Sequence, residues 1–112
     1  MSSMNKQPKT MEIWLAKFPL FPSHAVRPVV VISDCQEGDY AVSVVPLSTK
    51  LEYPQKETHV LIPVSGNLSR TLCEFVTTIP VSFLRSQVGY VEGDFERMAI
   101  RHAIAKHFAL CP

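Results

Sequence analysis

The stretch VRPVVVISD, residues 26–34, sets an arginine and a proline ahead of four apolar residues in a row, Val29 to Ile32. Three valines and an isoleucine pack well on a pleated strand and lose side-chain freedom in a helix, so the run predicts a strand over residues 27–33. A permanently charged guanidinium at the mouth of such a strand is the unusual part. Proline steers the residue before it away from the helical region, so Arg27 is expected to be extended. Its side chain then leaves from a fixed origin, with Val29 to Ile32 anchoring the backbone behind it.

Outward from this strand the pattern repeats. EIWLAKF (12–18) alternates as a strand covered on both faces, and PLFPSHAV (19–26), with two prolines and no helical period, is a loop. DCQEGD (34–39) turns the chain, with Gly38 expected at positive φ, and YAVSVVPLS (40–48) returns as a third strand in a hairpin with the second. After a polar loop, THVLIPV (58–64) is a fourth strand, whose Pro63 argues for an edge position. SGNLS (65–69) turns again, and RTLCEFVTTI (70–79) reads as a fifth. VSFLRS and QVGYVEGD form a short turn-and-strand piece before the one clear helix, FERMAIRHAIAKHFAL (95–110), with Asp94 as its N-cap. Phe95, Met98, Ala99, Ala103 and Phe108 fall near one face of that helix, and Lys106 and His107 lie toward its cation-favouring end. Short strand-to-strand links with only one long helix argue against βαβ units. They imply a mainly β fold with some α: a small, mostly antiparallel barrel with a C-terminal helix.

The 112 residues, 46% of them hydrophobic, suffice for one core and not two, so the expectation is a flexible leader over residues 1–10 and a single domain over 11–112. With 11 basic against 10 acidic residues, the net charge of +1 makes no field that would hold nucleic acid indiscriminately. No apolar run approaches the roughly 20 residues of a membrane span and the N-terminus lacks a signal-peptide core, so a cytoplasmic protein with no membrane partner is expected. Cys35, Cys73 and Cys111 are widely spaced and form no C-x-x-C pair, which points to reduced thiols rather than disulfides or zinc.

The ordered series EIWLAKF, RPVVVIS, VVPLSTK, THVLIPV, SRTLCEFVTTIP and VGYVEGDFERM resembles the PemK/MazF/Kid toxins of toxin-antitoxin pairs, over residues 12–110. The resemblance implies a homodimeric SH3-like barrel of the CcdB/PemK type. It further implies a cytoplasmic endoribonuclease that cuts single-stranded RNA without a metal or other cofactor, leaves a 2′,3′-cyclic phosphate and a 5′-hydroxyl, and is blocked by a cognate antitoxin protein. The family's catalytic arginine falls on Arg27 beside Pro28, its threonine position on Ser48 followed by Thr49, and its acidic residue on Glu74. Two departures stand out: Met11 replaces the glycine of the opening motif, and Leu72 occupies a position where some relatives carry a second arginine. The alternatives are a gyrase inhibitor on the same barrel, which the tail FALCP, lacking a tryptophan, disfavours, and a barrel that has lost catalysis and only binds RNA or protein.

RNA cleavage by its own 2′-hydroxyl needs a proton acceptor, charge stabilisation at phosphorus and a proton for the leaving oxygen. Arg27 suits the second service, since a guanidinium stays charged and meets two phosphate oxygens at once. Ser48, with Thr49 in reserve, offers a hydroxyl to a phosphate oxygen or else merely makes a strand-to-loop turn. His24 is either a proton carrier or a solvated loop residue. Glu74 could accept a proton, orient Arg27 or be a simple polar strand position. His59 reads as structural, and His102 and His107 lack metal-pair spacing. For RNA binding the candidates are Phe21 and Tyr53 as stacking rings, with His24, Pro28 and Lys50; Trp14 is assigned to the core.

Overall fold

The computed structural model describes residues 7–19, 25–50 and 54–110. Seven strands form: β1 (Glu12–Lys17), β2 (Val26–Val31), β3 (Ala41–Ser48), β4 (His59–Val64), β5 (Asn67–Leu72), β6 (Thr77–Pro80) and β7 (Leu84–Tyr90), followed by α1 (Asp94–His107). They pair in the order β4-β5-β3-β2-β1-β7, with β6 also on β3, and every pairing is antiparallel. The sheet curls into a half-barrel, and β4, with its exposed Pro63, lies at one end of the order, the edge position that proline requires.

Two apolar clusters fill the interior, and the alternation of strand side chains sends neighbouring residues to opposite ones. Val30 and Val45 join Ile13, Leu47, Ile62 and Ile100 in one cluster, while Val29, Val31 and Val44 join Phe18, Ile79 and Leu84 in the other. That is why the second and third strands read as continuous apolar runs. In the β2–β3 hairpin Val30 pairs with Val45, and the turn carries Gly38 at φ 91°, as expected.

Several boundaries differ from the sequence expectation. The fifth strand is two strands: β5 begins at Asn67, because Ser65 (φ 50°) and Gly66 (φ 82°) alone make the two-residue turn of the β4–β5 hairpin. It stops at Leu72, and a 3-10 turn (Cys73–Phe75) intervenes before β6. The break moves the chain along one edge of β3, since β5 pairs with Leu47 and Ser48 and β6 with Ala41 to Val44.

The helix is capped by Gly93, with Asp94 and Glu96 already in its first turn, where carboxylates complement the dipole. It buries Ile100 and Ala103, with Ile104 packed alongside, and leaves Phe95, Met98 and Phe108 exposed. The expected apolar face is thus largely the outer one, because the i, i+3, i+4 set that meets the sheet starts at Ile100. Residues 7–10, expected to be loose, are tied down: Pro8 is buried, the Cys35 N–H donates to the Pro8 carbonyl at 3.2 Å, and Thr10 Oγ1 donates to Asp34 Oδ1 at 2.8 Å. Trp14 is half-buried against the second cluster, and its Nε1–H donates to Glu12 Oε1 at 2.9 Å.

Met11, where the family motif has glycine, sits at φ 76° and is buried. Its N–H donates to the Val31 carbonyl at 2.7 Å and its carbonyl accepts from the Val91 N–H at 2.8 Å, which holds the left-handed conformation in place. Glycine there would relieve about 1 kcal/mol of backbone strain but remove a buried side chain worth about 2–5 kcal/mol. Met11→Gly is therefore expected to lower stability by roughly 1–4 kcal/mol in urea unfolding. A rise in stability would show that strain outweighs packing at this site.

Candidate active site

Where β2 begins, β3 ends and β5 returns, the half-barrel leaves a cavity of about 630 Å³. β2 supplies Arg27 and Pro28 at its exposed mouth, and the end of β3 supplies Ser48, followed by Thr49 and Lys50. Ser48 lies opposite Arg70 in the β3–β5 ladder, so register alone places a hydroxyl beside a guanidinium. Lys56, three residues ahead of β4, His59, its first residue, and Glu74 and Phe75 in the 3-10 turn also line the cavity.

Arg27, Ser48, Thr49, Lys50, Pro28 and Glu74, all singled out in the sequence, thus meet in one place. Phe21, His24 and Tyr53 lie outside the described residues. The sequence reading missed Arg70, Lys56, Phe75 and His59. Arg70 is 5% exposed, in a strand otherwise rich in small and apolar groups. Arg70 and Leu72 lie two apart on β5 and both line the cavity, so an arginine enters it two residues before position 72. His59, assigned a structural role, has one as Glu74's hydrogen-bond partner and also faces the cavity.

Four cationic side chains, Arg27, Lys50, Lys56 and Arg70, and one carboxylate, Glu74, line the cavity among the described residues. A guanidinium does not lose its charge on burial, and with little water around Arg70 its field reaches the cavity weakly screened. Ser48 Oγ accepts from the Lys50 N–H at 3.1 Å, which makes the expected strand-to-loop turn and leaves the hydroxyl hydrogen to donate.

Glu74 accepts hydrogen bonds from Thr58 Oγ1 (2.9 Å, to Oε1) and from His59 Nε2 (2.8 Å, to Oε2). The Lys56 N–H donates to His59 Nδ1 at 3.2 Å, so Nδ1 is the acceptor nitrogen and Nε2 carries the hydrogen given to Glu74. Burial pushes the Glu74 carboxyl up, but the bond from His59, the one from its own backbone N–H and the one from Thr58 outweigh burial and hold it below its ordinary 4.5. Among the described residues no group of three His, Cys, Asp or Glu could hold a metal ion. Cys35 and Cys73 are buried free thiols, and burial pushes Cys73 up to about 11, too high for a thiolate nucleophile.

Residues 9–108 match the model of the PemK-like, MazF-like toxins of type II toxin-antitoxin systems, so the chain belongs to that family. Among curated proteins, none matches it. Among solved structures, the Mycobacterium tuberculosis toxin MazF-mt6 superposes with a TM-score of 0.72 at 25% identity, over 90% of this chain and 99% of that one. A mycobacterial endoribonuclease bound to its cognate antitoxin gives a TM-score of 0.74 at 15% identity, over 94% and 98% of the two chains. MazF from Deinococcus radiodurans gives 0.77 at 13% identity, over 94% and 99%. The half-barrel with its terminal helix is thus the family fold.

Glu74 gives a stability prediction with a definite sign. Its folded value is depressed, so ionisation stabilises the fold in full above its ordinary 4.5, and that contribution is lost as pH falls through the depressed value. Wild type should exceed Glu74→Gln in urea midpoint near pH 7, and the gap should narrow as pH falls below 4.5 toward the depressed value. An equal gap at both pH values would place the stabilisation elsewhere.

Proposed function

We propose that the chain is an endoribonuclease toxin that cleaves single-stranded RNA through the RNA's own 2′-hydroxyl, without a metal ion. The observation that carries this reading is the convergence of four cations, three hydroxyls and one carboxylate on a single cavity, among the described residues of a chain of the toxin family. Arg27 and Arg70 share the scissile phosphodiester, with Ser48 or Thr49 donating to a phosphoryl oxygen and Lys50 and Lys56 meeting the flanking phosphates. Glu74, ionised at neutral pH, takes the 2′-hydroxyl proton. The 2′-oxygen forms its bond to phosphorus as the bond from phosphorus to the 5′-oxygen breaks, and the departing oxygen draws a proton from water. The products are a 2′,3′-cyclic phosphate and a 5′-hydroxyl.

In this reading the protein works in the cytoplasm as a homodimer and is silenced by an antitoxin that covers the cationic cavity. The mycobacterial relative bound to its antitoxin supports such a partner, and the exposed Phe95, Met98 and Phe108 of the helix region offer apolar surface for protein contacts. No helix among the described residues is long and apolar enough to cross a membrane.

Incubated with a long single-stranded RNA in EDTA, the purified protein should produce discrete fragments. Arg27→Ala should keep its circular dichroism spectrum and lose about 100-fold or more in cleavage rate, the cost of removing one preorganised charge donor. Intact RNA with the wild-type protein, or wild-type rates in the variant, would overturn the assignment.

A further inference from the structure

Cations explain how the cavity holds phosphate, but not what meets the base attached to it. Among the described residues that line it, Phe75 carries the one phenyl ring, 41% exposed and in the same cavity as Arg27 and Arg70. A ring left facing a wet, cationic cavity has not been buried to drive folding.

The turn carrying it is unusually well fastened. Cys73 is fully buried and its N–H donates to the Thr58 carbonyl at 3.1 Å, while the Val76 N–H closes the turn onto the Cys73 carbonyl at 3.3 Å. Between these anchors, Glu74 is gripped on one oxygen by Thr58 and on the other by His59. His59 is itself fixed by the Lys56 N–H, so the grip holds only while its Nδ1 stays an acceptor. The residue before Phe75 thus cannot rotate away, and the ring is presented from a preorganised turn rather than from a free loop.

We propose that Phe75 is a stacking platform for one nucleobase of the single-stranded RNA, with Thr58, His59 and Glu74 as the clasp that positions it. The proposal rests on the ribonuclease reading and deepens it: phosphates lie on the cations that line the cavity and one base lies flat on the ring. Stacking on an aromatic face tolerates any base and contributes strongly to single-strand binding, with about 1–3 kcal/mol lost on alanine substitution. That corresponds to about 5- to 150-fold in affinity at 1.4 kcal/mol per tenfold.

The test uses a 2′-O-methyl oligonucleotide, which cannot be cleaved, so that binding and catalysis are read separately. Phe75→Ala should bind it at least fivefold more weakly than wild type, and in cleavage assays KM should rise by a similar factor. Phe75→Trp should restore binding, and its tryptophan emission should be quenched on adding the oligonucleotide, relative to wild type with Trp14 alone. His59→Ala, which loosens the clasp, should diminish that quenching when combined with Phe75→Trp. Wild-type affinity in Phe75→Ala, or an unquenched Phe75→Trp that binds normally, would overturn the platform while leaving the ribonuclease reading intact. Failure of the wild-type protein to bind or cut any single-stranded RNA would remove both.

Discussion

The register of β3 is the constraint on which the rest of the structure depends. β3 is hydrogen-bonded to β2 along one edge and to β5 and β6 along the other, and its residues Val44, Val45 and Leu47 are buried on alternating faces. A slip of one residue would turn every one of those side chains to the wrong cluster, so the strand has one allowed position. That position fixes where β3 ends and therefore where Ser48 meets Arg70. It also sets β2 beside it, with Arg27 at the strand mouth. The site follows from the packing of residues that take no part in its chemistry.

The arrangement also resolves an apparent conflict with composition. A chain of net charge +1 should have little hold on a polyanion, yet four of its 11 basic residues line one cavity. Local density substitutes for overall charge, and the burial of Arg70 strengthens what reaches the cavity. The single carboxylate among them is held ionised by hydrogen bonds from His59, its own backbone N–H and Thr58, which outweigh its burial.

What could be read from residues alone was whatever local chemistry dictates. β-branched runs gave the strands, Gly38 its positive φ and Pro63 the edge, and Arg-Pro put a cation at a strand mouth. The features that were not legible are set by tertiary partners. Nothing local in RTLCEFVTTI announces that Leu72 ends one pairing and Thr77 begins another; the break exists because β5 and β6 must use different stretches of the same β3 edge. The helix carries apolar residues around much of its circumference, so which side is buried depended on where the sheet stood. His59 and Arg70 become site residues only through cross-strand neighbours, and the positive φ of Met11 is imposed by hydrogen bonds to Val31 and Val91.

The central claim is that the cationic cavity grips a phosphodiester while the neighbouring 2′-hydroxyl attacks it. The most direct measurement is the chemistry of the ends produced from a short single-stranded RNA, read by mass spectrometry beside the same oligonucleotide carrying one 2′-deoxy sugar at the cut position. The account predicts a 2′,3′-cyclic phosphate and a 5′-hydroxyl from the first and no cut at that position in the second. Fragments ending in a 3′-hydroxyl and a 5′-phosphate, or undiminished cleavage of the deoxy-substituted strand, would contradict it.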